Sequence, residues 1–408
     1  MKLLILTQYF PPEVGAPQNR LFELALRLKA AGVEISVLTA MPNYPQMKIH
    51  EAYKGKTFVK ENMEGLNVYR ASIYVSSNKG ILSRLRNYFS FVISSARKSK
   101  HIPGNFDYLM CESPPLFLGY SALYISRKKK AKLIFNVSDL WPESAEKLGV
   151  VTNPYLLGMA YRLEAKLYRR SVLVTGQTQG ICENIMQRFP QVKTYWLPNG
   201  VDLNYYDPEK TESGNWRIQN NFTANDKIFL YAGIIGIAQG LDTILEAAQR
   251  FVNKKDIKFV LMGSGPEKTR LLKMQQEKKL DNVFFLDAVT KNEMPGILKS
   301  VDAAIIPLRK LDLFLGAIPS KIFENLAMQI PILLGVDGEA RTLFIDQGKC
   351  GIYFEPENAA SLASAIEQLV QNPGHAKELG NNGRAFVNRY FNREIIAAGF
   401  YKTLVALK

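Results

Sequence analysis

Lys227-Ile228-Phe229-Leu230-Tyr231-Ala232-Gly233-Ile234-Ile235-Gly236-Ile237-Ala238-Gln239-Gly240 is the stretch that decides the fold. A short apolar run feeds a glycine-rich loop, and a helical pattern follows to Phe251. Strand, glycine-rich loop and helix in that order open a βαβ unit. The same order stands at the start of the chain. Residues 2–6 are apolar, Tyr9-Phe10-Pro11-Pro12 makes a loop, and Pro17 suits a helix start. Leu21, Leu24, Ala25 and Leu28 then fall at helical spacing, Gly32 suits a helix end, and 33–38 reads as a second strand.

Further strands are expected at 108–112, 133–137, 172–175 and 196–197, then at 227–232, 258–262, 283–286, 303–306, 332–334 and 351–354. Helical segments separate them, and 390–407 should be a closing helix. Pro198-Asn199-Gly200-Val201-Asp202 reads as a turn into a linker rich in Asn, Asp and Pro. The expectation is α/β, with two doubly wound Rossmann-like domains: 1–200 plus 390–408, and 205–388.

The 408 residues carry a formal net charge of +15, unevenly spread. Residues 1–200 hold 27 basic and 13 acidic side chains, whereas 201–408 hold 25 and 24. A basic half suggests an anionic partner, either nucleic acid or an anionic membrane surface. The three cysteines and three histidines are scattered, so neither a disulfide framework nor a metal site is expected. No signal peptide and no run of 18 apolar residues is visible.

Residues 79–104 combine charge and apolar periodicity. Ile81, Leu82, Leu85, Tyr88, Phe89, Val92 and Ile93 fall mostly on one helical face. Lys79, Arg84, Arg86, Arg97, Lys98 and Lys100 add charge, with no acid up to Phe106. That pattern suits an anionic membrane surface, docked through Leu85, Tyr88, Phe89 and Val92, or a core helix with a basic rim.

Several loops are candidates for chemistry. Gly15 lies after the first strand, where α/β sheets bind ligands, or merely makes a turn. Arg20, one helical turn on, faces an anion or solvent. Ser138-Asp139-Leu140-Trp141-Pro142-Glu143-Ser144 follows a strand, so Asp139 is a candidate acid. In Pro319-Ser320-Lys321-Ile322-Phe323-Glu324, Ser320 is a good N-cap for the following helix. A helix start with Lys321 beside it could seat a phosphate, and Glu324 could accept from ribose hydroxyls. The plainer reading is an amphipathic helix with a surface Lys–Glu pair.

Taken in order, Gly15…Arg20, Asp139-Leu140-Trp141-Pro142, Asn199-Gly200-Val201-Asp202, Gly233…Gly240, Gly263-Ser264-Gly265-Pro266 and Pro319-Ser320-Lys321…Glu324 resemble the retaining glycosyltransferases of family GT4. Within that family the L-fucosamine transferases of O-antigen and capsule assembly are the nearest resemblance, and it runs over nearly the whole chain. It implies a GT-B fold, two doubly wound Rossmann-like domains facing across a cleft, with the second domain holding a UDP-sugar. Glu324 then holds the ribose, and the loop with Pro319, Ser320 and Lys321 holds the diphosphate. Gly233, Gly236 and Gln239 lie against the phosphates, with Gly15 and Arg20 as further donor contacts. The backbone of Ala288 and Val289 reads the base. Asp139, Lys321 and Glu324 are the catalytic candidates.

The resemblance also implies transfer of N-acetyl-L-fucosamine or a related sugar to a polyprenyl-diphosphate-linked sugar acceptor. The location implied is cytoplasmic, peripheral at the inner face of the cell membrane. No cofactor is expected and, with no Asp-x-Asp, no metal. Front-face attack would need no protein nucleophile. The sequence departs from the family at three points. The first glutamate of its paired motif is Gly316, and the usual Arg and Lys of the glycine-rich loop are Ile234 and Gln239. The histidine before the Asp is Ser138. The competing readings are a nucleotide-sugar epimerase of the same fold and a basic nucleic-acid-binding protein, the latter without any nucleic-acid motif in support.

Overall fold

Two parallel-stranded sheets organise the chain, and each follows from short apolar runs that bury both faces. The computed structural model describes residues 1–13, 15–44, 46–76, 81–147, 149 and 151–408. The first sheet contains β1 (Lys2–Leu6), β2 (Glu34–Ala40), β3 (Phe58–Met63), β4 (Leu66–Ala71), β5 (Tyr108–Ser113), β6 (Lys132–Val137), β7 (Leu173–Gly176) and β8 (Thr194–Trp196). Their order is β3-β4-β2-β1-β5-β6-β7-β8, and only the β3–β4 pair is antiparallel. Leu3 to Leu6 have no exposed surface, as expected of a strand covered on both sides.

The second sheet contains β9 (Lys227–Ala232), β10 (Ile257–Met262), β11 (Val283–Leu286), β12 (Ala303–Pro307), β13 (Ile332–Gly335) and β14 (Gly351–Tyr353). Its order is β11-β10-β9-β12-β13-β14, parallel throughout. In both sheets the chain winds outward from the first strand and then reverses direction. The reversal lies between β1 and β5 in one sheet and between β9 and β12 in the other. Loops at the carboxyl ends of such neighbours diverge, which opens a crevice for a ligand.

The chain separates into two compact units, Met1–Asn199 with Arg393–Lys408, and Gly200–Asn392. The last helix, Arg393–Ala406, belongs to the first unit. Phe400 is fully buried there, its ring 5.8 Å from that of Tyr195. The Tyr108 hydroxyl donates to the Leu404 carbonyl at 3.0 Å, and the Arg27 Nε donates to Glu394 at 2.8 Å.

Two features differ from the sequence expectation. The closing helix does not start at Tyr390, because one helix ends there and the next begins at Arg393. Phe391, wholly buried between them, breaks the helical run by anchoring into the second unit. The β3–β4 hairpin was not anticipated. Its Glu64-Gly65 turn has positive φ at both residues, 48° and 79°, which is the tight-hairpin geometry that glycine favours.

The basic helix Ile81–Lys98 packs on the first unit's core. Val92 is only 8% exposed and Leu85 and Tyr88 pack against that core, so these three cannot form a lipid-facing surface. The outward stripe is Arg86, Phe89, Ile93 and Arg97. Lys79 and the side chains of Ile81, Leu82 and Arg84 lie outside the described residues. The core helix with a basic rim is therefore part of the answer.

Replacing Phe400 by Ala should destabilise the first unit by about 3–5 kcal/mol, the cost of emptying a buried aromatic site. Urea unfolding monitored by circular dichroism reads this, and an unchanged midpoint would contradict the placement of the last helix.

Candidate ligand sites at the two sheet reversals

In the second unit the site is built where β9 gives way to its glycine-rich loop. Gly233 has φ +146°, and a Cβ there would stand 2.8 Å from Lys321 Nζ. The lysine amine lies 3.8 Å over the ring of Tyr231, the penultimate residue of β9. The Tyr231 hydroxyl in turn donates to the Ile234 carbonyl at 2.5 Å. Lys321 is thus lodged beneath the loop, between an aromatic face and bare backbone. Burial pushes its pKa down to about 7, and the nearby Glu324 charge only partly opposes this. A cation–π contact is worth about 0.5–2 kcal/mol and does not offset the loss of water around an ammonium.

A second loop supports the first. Ile235 N donates to the Ser264 carbonyl at 2.9 Å, and Gly233 N to Met262 at 2.9 Å. Gly263 has φ +145°, and a Cβ there would come within 1.9 Å of the Gly233 carbonyl oxygen. The Gly263-Ser264-Gly265 segment is glycine-rich because it lies directly on the Gly233 loop.

The helix Lys321–Ala327 spans only 7 residues. Ser320 does not cap it: its backbone is already helical, at φ −60° and ψ −27°, and its side chain makes no capping bond. The first turn closes instead through Ile322 N to Pro319 O and Phe323 N to Ser320 O. The Ser320 hydroxyl is therefore not committed to its own helix end. So short a helix has a weak dipole, and Lys321 carries the local positive charge. Glu324 is half-buried one turn on, beside Lys321. Both side chains are half-buried, so the Lys–Glu pair of the plainer reading does not lie on an open surface.

Gln239 is half-buried, its backbone N–H donates to the Gly236 carbonyl at 3.3 Å, and a Cβ on Gly236 would meet its side-chain Oε1 at 2.8 Å. Ala288 is exposed after β11, and Val289 borders a cavity of about 540 Å³ shared with Tyr205, Trp216 and Asn292. Sequence reasoning missed Tyr231 and Arg309. Arg309 N donates to the Ala238 carbonyl at 3.0 Å, which ties the loop after β12 to the glycine-rich loop. Its Nε is buried without a hydrogen-bond partner among the described residues. Its position just beyond the 303–306 run, at a strand's carboxyl end, was the available signal.

In the first unit Gly15 precedes the helix Ala16–Ala30 in extended conformation, φ 174°. Arg20 is buried and paired within the fold. Its Nη2 donates to Glu112 Oε1 and to Ser138 Oγ, each at 2.7 Å. Glu112 also accepts from Ser138 and from Asn136, which accepts from Thr175. This chain crosses the carboxyl ends of β5, β6 and β7. Arg20 therefore brings no surplus charge, since Glu112 matches it. Asp139 Oδ2 accepts from Ser144 Oγ at 2.9 Å, and the desolvation of its carboxyl raises its pKa.

Residues 212–386 match the family model described as Glycosyl transferases group 1. The chain is 25% identical over 413 residues to a protein of Escherichia coli strain K12 named as a colanic acid biosynthesis glycosyl transferase, WcaI, covering 98% of both chains. Among solved structures it is similar to sucrose-phosphate synthase from Thermosynechococcus elongatus, with TM-score 0.77, 18% identity and full coverage of both chains. It is also similar to Anabaena HepE in complex with UDP and glucose, with TM-score 0.74, 16% identity and full coverage of both. The fold is GT-B.

The lysine gives a pH signature. Unfolded, its ammonium keeps its proton to about pH 10.4; folded, it releases it near pH 7. Between those values the unfolded chain binds the extra proton, so stability rises with pH across that window, and the destabilisation is fully present below pH 7. Lys321→Met should stabilise the unliganded protein at pH 6 and much less at pH 9. Urea midpoints at the two pH values read this, and an equal effect at both would contradict a buried, weakly basic amine.

Proposed function

We propose that this chain, a glycosyltransferase of group 1, moves a sugar from a UDP-sugar to a polyprenyl-diphosphate-linked sugar acceptor in surface polysaccharide assembly, with retention of configuration. The observation that carries the donor half is Lys321 and Glu324 on one short helix beneath the Gly233 loop, at the reversal of the second sheet. HepE, similar in fold, is described with UDP and glucose bound. WcaI, similar over its whole length, is named for colanic acid biosynthesis. Epimerisation is not favoured by the family match.

The chemistry follows from charge. As the bond from sugar to diphosphate breaks, negative charge grows on the leaving oxygen. Lys321 and the backbone N–H groups of Ser320 and Lys321 stabilise that charge, in a place where water is scarce. An amine near neutrality when the site is empty gains its proton as the diphosphate arrives, so binding sets the charge that the transition state uses. The acceptor hydroxyl attacks the face the diphosphate leaves, and its proton passes to the leaving phosphate.

The donor sugar is N-acetyl-L-fucosamine or another 6-deoxy sugar. Ile234, Ile237, Leu311 and Leu315 are all exposed on the loops after β9 and β12, where they suit a methyl group better than a hydroxymethyl. The protein works at the inner face of the membrane. Arg86, Phe89, Ile93 and Arg97 face an anionic surface, beside exposed Tyr120 and Tyr124 on the neighbouring helix Leu118–Lys128. No helix among the described residues is long and apolar enough to cross a bilayer.

Glu324→Ala should weaken UDP and uridine alike, roughly ten- to a hundredfold, since a charged hydrogen bond is worth about 1.5–3 kcal/mol. Lys321→Ala should weaken UDP but not uridine, and slow turnover at saturating donor. Calorimetry plus rates separate these effects, and equal loss of uridine and UDP in Lys321→Ala would refute the division of labour. Changing Arg86 and Arg97 together to Glu should release the protein from phosphatidylglycerol vesicles with UDP affinity unchanged. Retained vesicle binding would count against this face.

A further inference from the structure

In the second unit the segment 205–216 is strapped to the short helix Met294–Leu298 and the residues after it. The Lys299 amine donates to the carbonyls of Pro208 and Thr211, at 2.8 and 2.6 Å, and the Ser300 hydroxyl donates to that of Ser213 at 3.0 Å. Gly296 allows the approach, since a Cβ there would meet the Glu212 carbonyl oxygen at 3.1 Å. Between the strap, the helix and the loop after β11 lies the cavity of about 540 Å³. Its size is that of a small-molecule site. Neither Lys321 nor Glu324 lines it, so it is separate from the place proposed for the diphosphate.

The walls define what fits. Glu212 and Glu293 both border the cavity, and none of its described lining residues is Lys, Arg or His. Glu293 accepts from the Thr290 hydroxyl at 2.6 Å and the Thr290 N–H at 2.9 Å, which hold its carboxyl below the usual range and keep it charged. Two lysines stand near. The Lys299 amine is spent on the strap carbonyls, and the Lys291 amine lies 4.9 Å over the Tyr205 ring. That wall therefore already attracts an ammonium, and Trp216 adds a second aromatic surface. Val289 and Ile297 offer apolar contact to methylenes. The chain carries a net charge of +15, so long-range attraction does not gather cations, and one bound here is held locally.

We propose that this cavity is an effector site for an aliphatic polyamine, held by Glu212, Glu293 and Trp216, and that its occupancy weakens binding of the donor's uridine. Only the second half rests on the transferase reading, through the expectation that the Val289 backbone reads the base. Val289 borders the cavity, and the neighbouring Thr290 is held by the Glu293 carboxylate. An ammonium drawn to Glu293 competes with Thr290 for those oxygens, and the turn that presents Val289 loosens. Such coupling is reciprocal, so uridine weakens the polyamine by the same factor.

The test is calorimetry on the full chain, with spermidine as the probe and a neutral diol of matched length as the control. Uridine replaces UDP, because it has no phosphates with which spermidine could pair in solution. Spermidine should bind saturably and the diol should not. Spermidine affinity should fall roughly threefold or more in Glu212→Gln and in Trp216→Leu. Both variants should bind uridine as the wild type does when spermidine is absent, with the fold checked by circular dichroism. Saturating spermidine should raise the uridine Kd roughly fivefold, to a plateau. Absence of spermidine binding to the wild type would overturn the proposal, as would affinity unchanged in both variants. A uridine Kd that climbs without a plateau would overturn it too, because the two ligands would then share one place. A uridine Kd indifferent to spermidine would overturn the effector role. Spermidine bound through these residues in a protein that binds no uridine would leave the cavity standing and remove the UDP-sugar reading.

Discussion

A half-buried lysine whose amine lies against the face of Tyr231 and under the bare backbone of Gly233 is the constraint on which the second unit turns. An ammonium there is costly while the site is empty, which is why burial brings its pKa to about 7. The surroundings fit that one side chain. Gly233 has no Cβ because the amine occupies the space, and Gly263 has none because the Gly233 carbonyl does. The Tyr231 hydroxyl fixes the loop through Ile234, and Arg309 N ties the next loop to it through Ala238. The strand order supplies the place, since the loops after β9 and β12 diverge at the reversal.

The first unit treats its buried cation in the opposite way. Arg20 is matched by Glu112 within the fold, so its charge is spent before any ligand arrives. One reversal therefore holds an amine poised near neutrality, and the other a guanidinium already paired within the fold. Ile234 and Gln239 leave the Gly233–Gly240 loop itself without a basic side chain, and Lys321 and Arg309 are the cations that pack against it.

Much of this was legible in the sequence. The apolar runs at 2–6, 227–232 and 283–286 are strands with those bounds, and the restart at Lys227 separated two sheets correctly. Lys321 and Glu324 were visible as a pair, but not the burial of the lysine. That depends on Tyr231, ninety positions away in sequence on β9. Ser320 looked like a cap because composition reports residue type and not φ and ψ. Arg20 looked free for an anion because its partner, Glu112, arrives on β5 through tertiary contact alone. The sequence leaves the apolar face of 81–97 open between a membrane surface and the core, and Phe91 and Val92 spend it on the core. The β3–β4 hairpin escaped because Glu64-Gly65 is a weaker turn signal than Asn-Gly.

The central claim is that Lys321 takes up a proton when a diphosphate enters. Calorimetric titration of UDP at pH 8, in two buffers of different ionisation enthalpy, counts protons exchanged on binding. UDP is fully ionised at that pH, and an amine with a pKa near 7 is mostly neutral. The account predicts uptake of roughly one proton by the wild type, the difference between a largely neutral and a charged amine, and almost none by Lys321→Met. Binding without proton uptake, or equal uptake by both proteins, would contradict it.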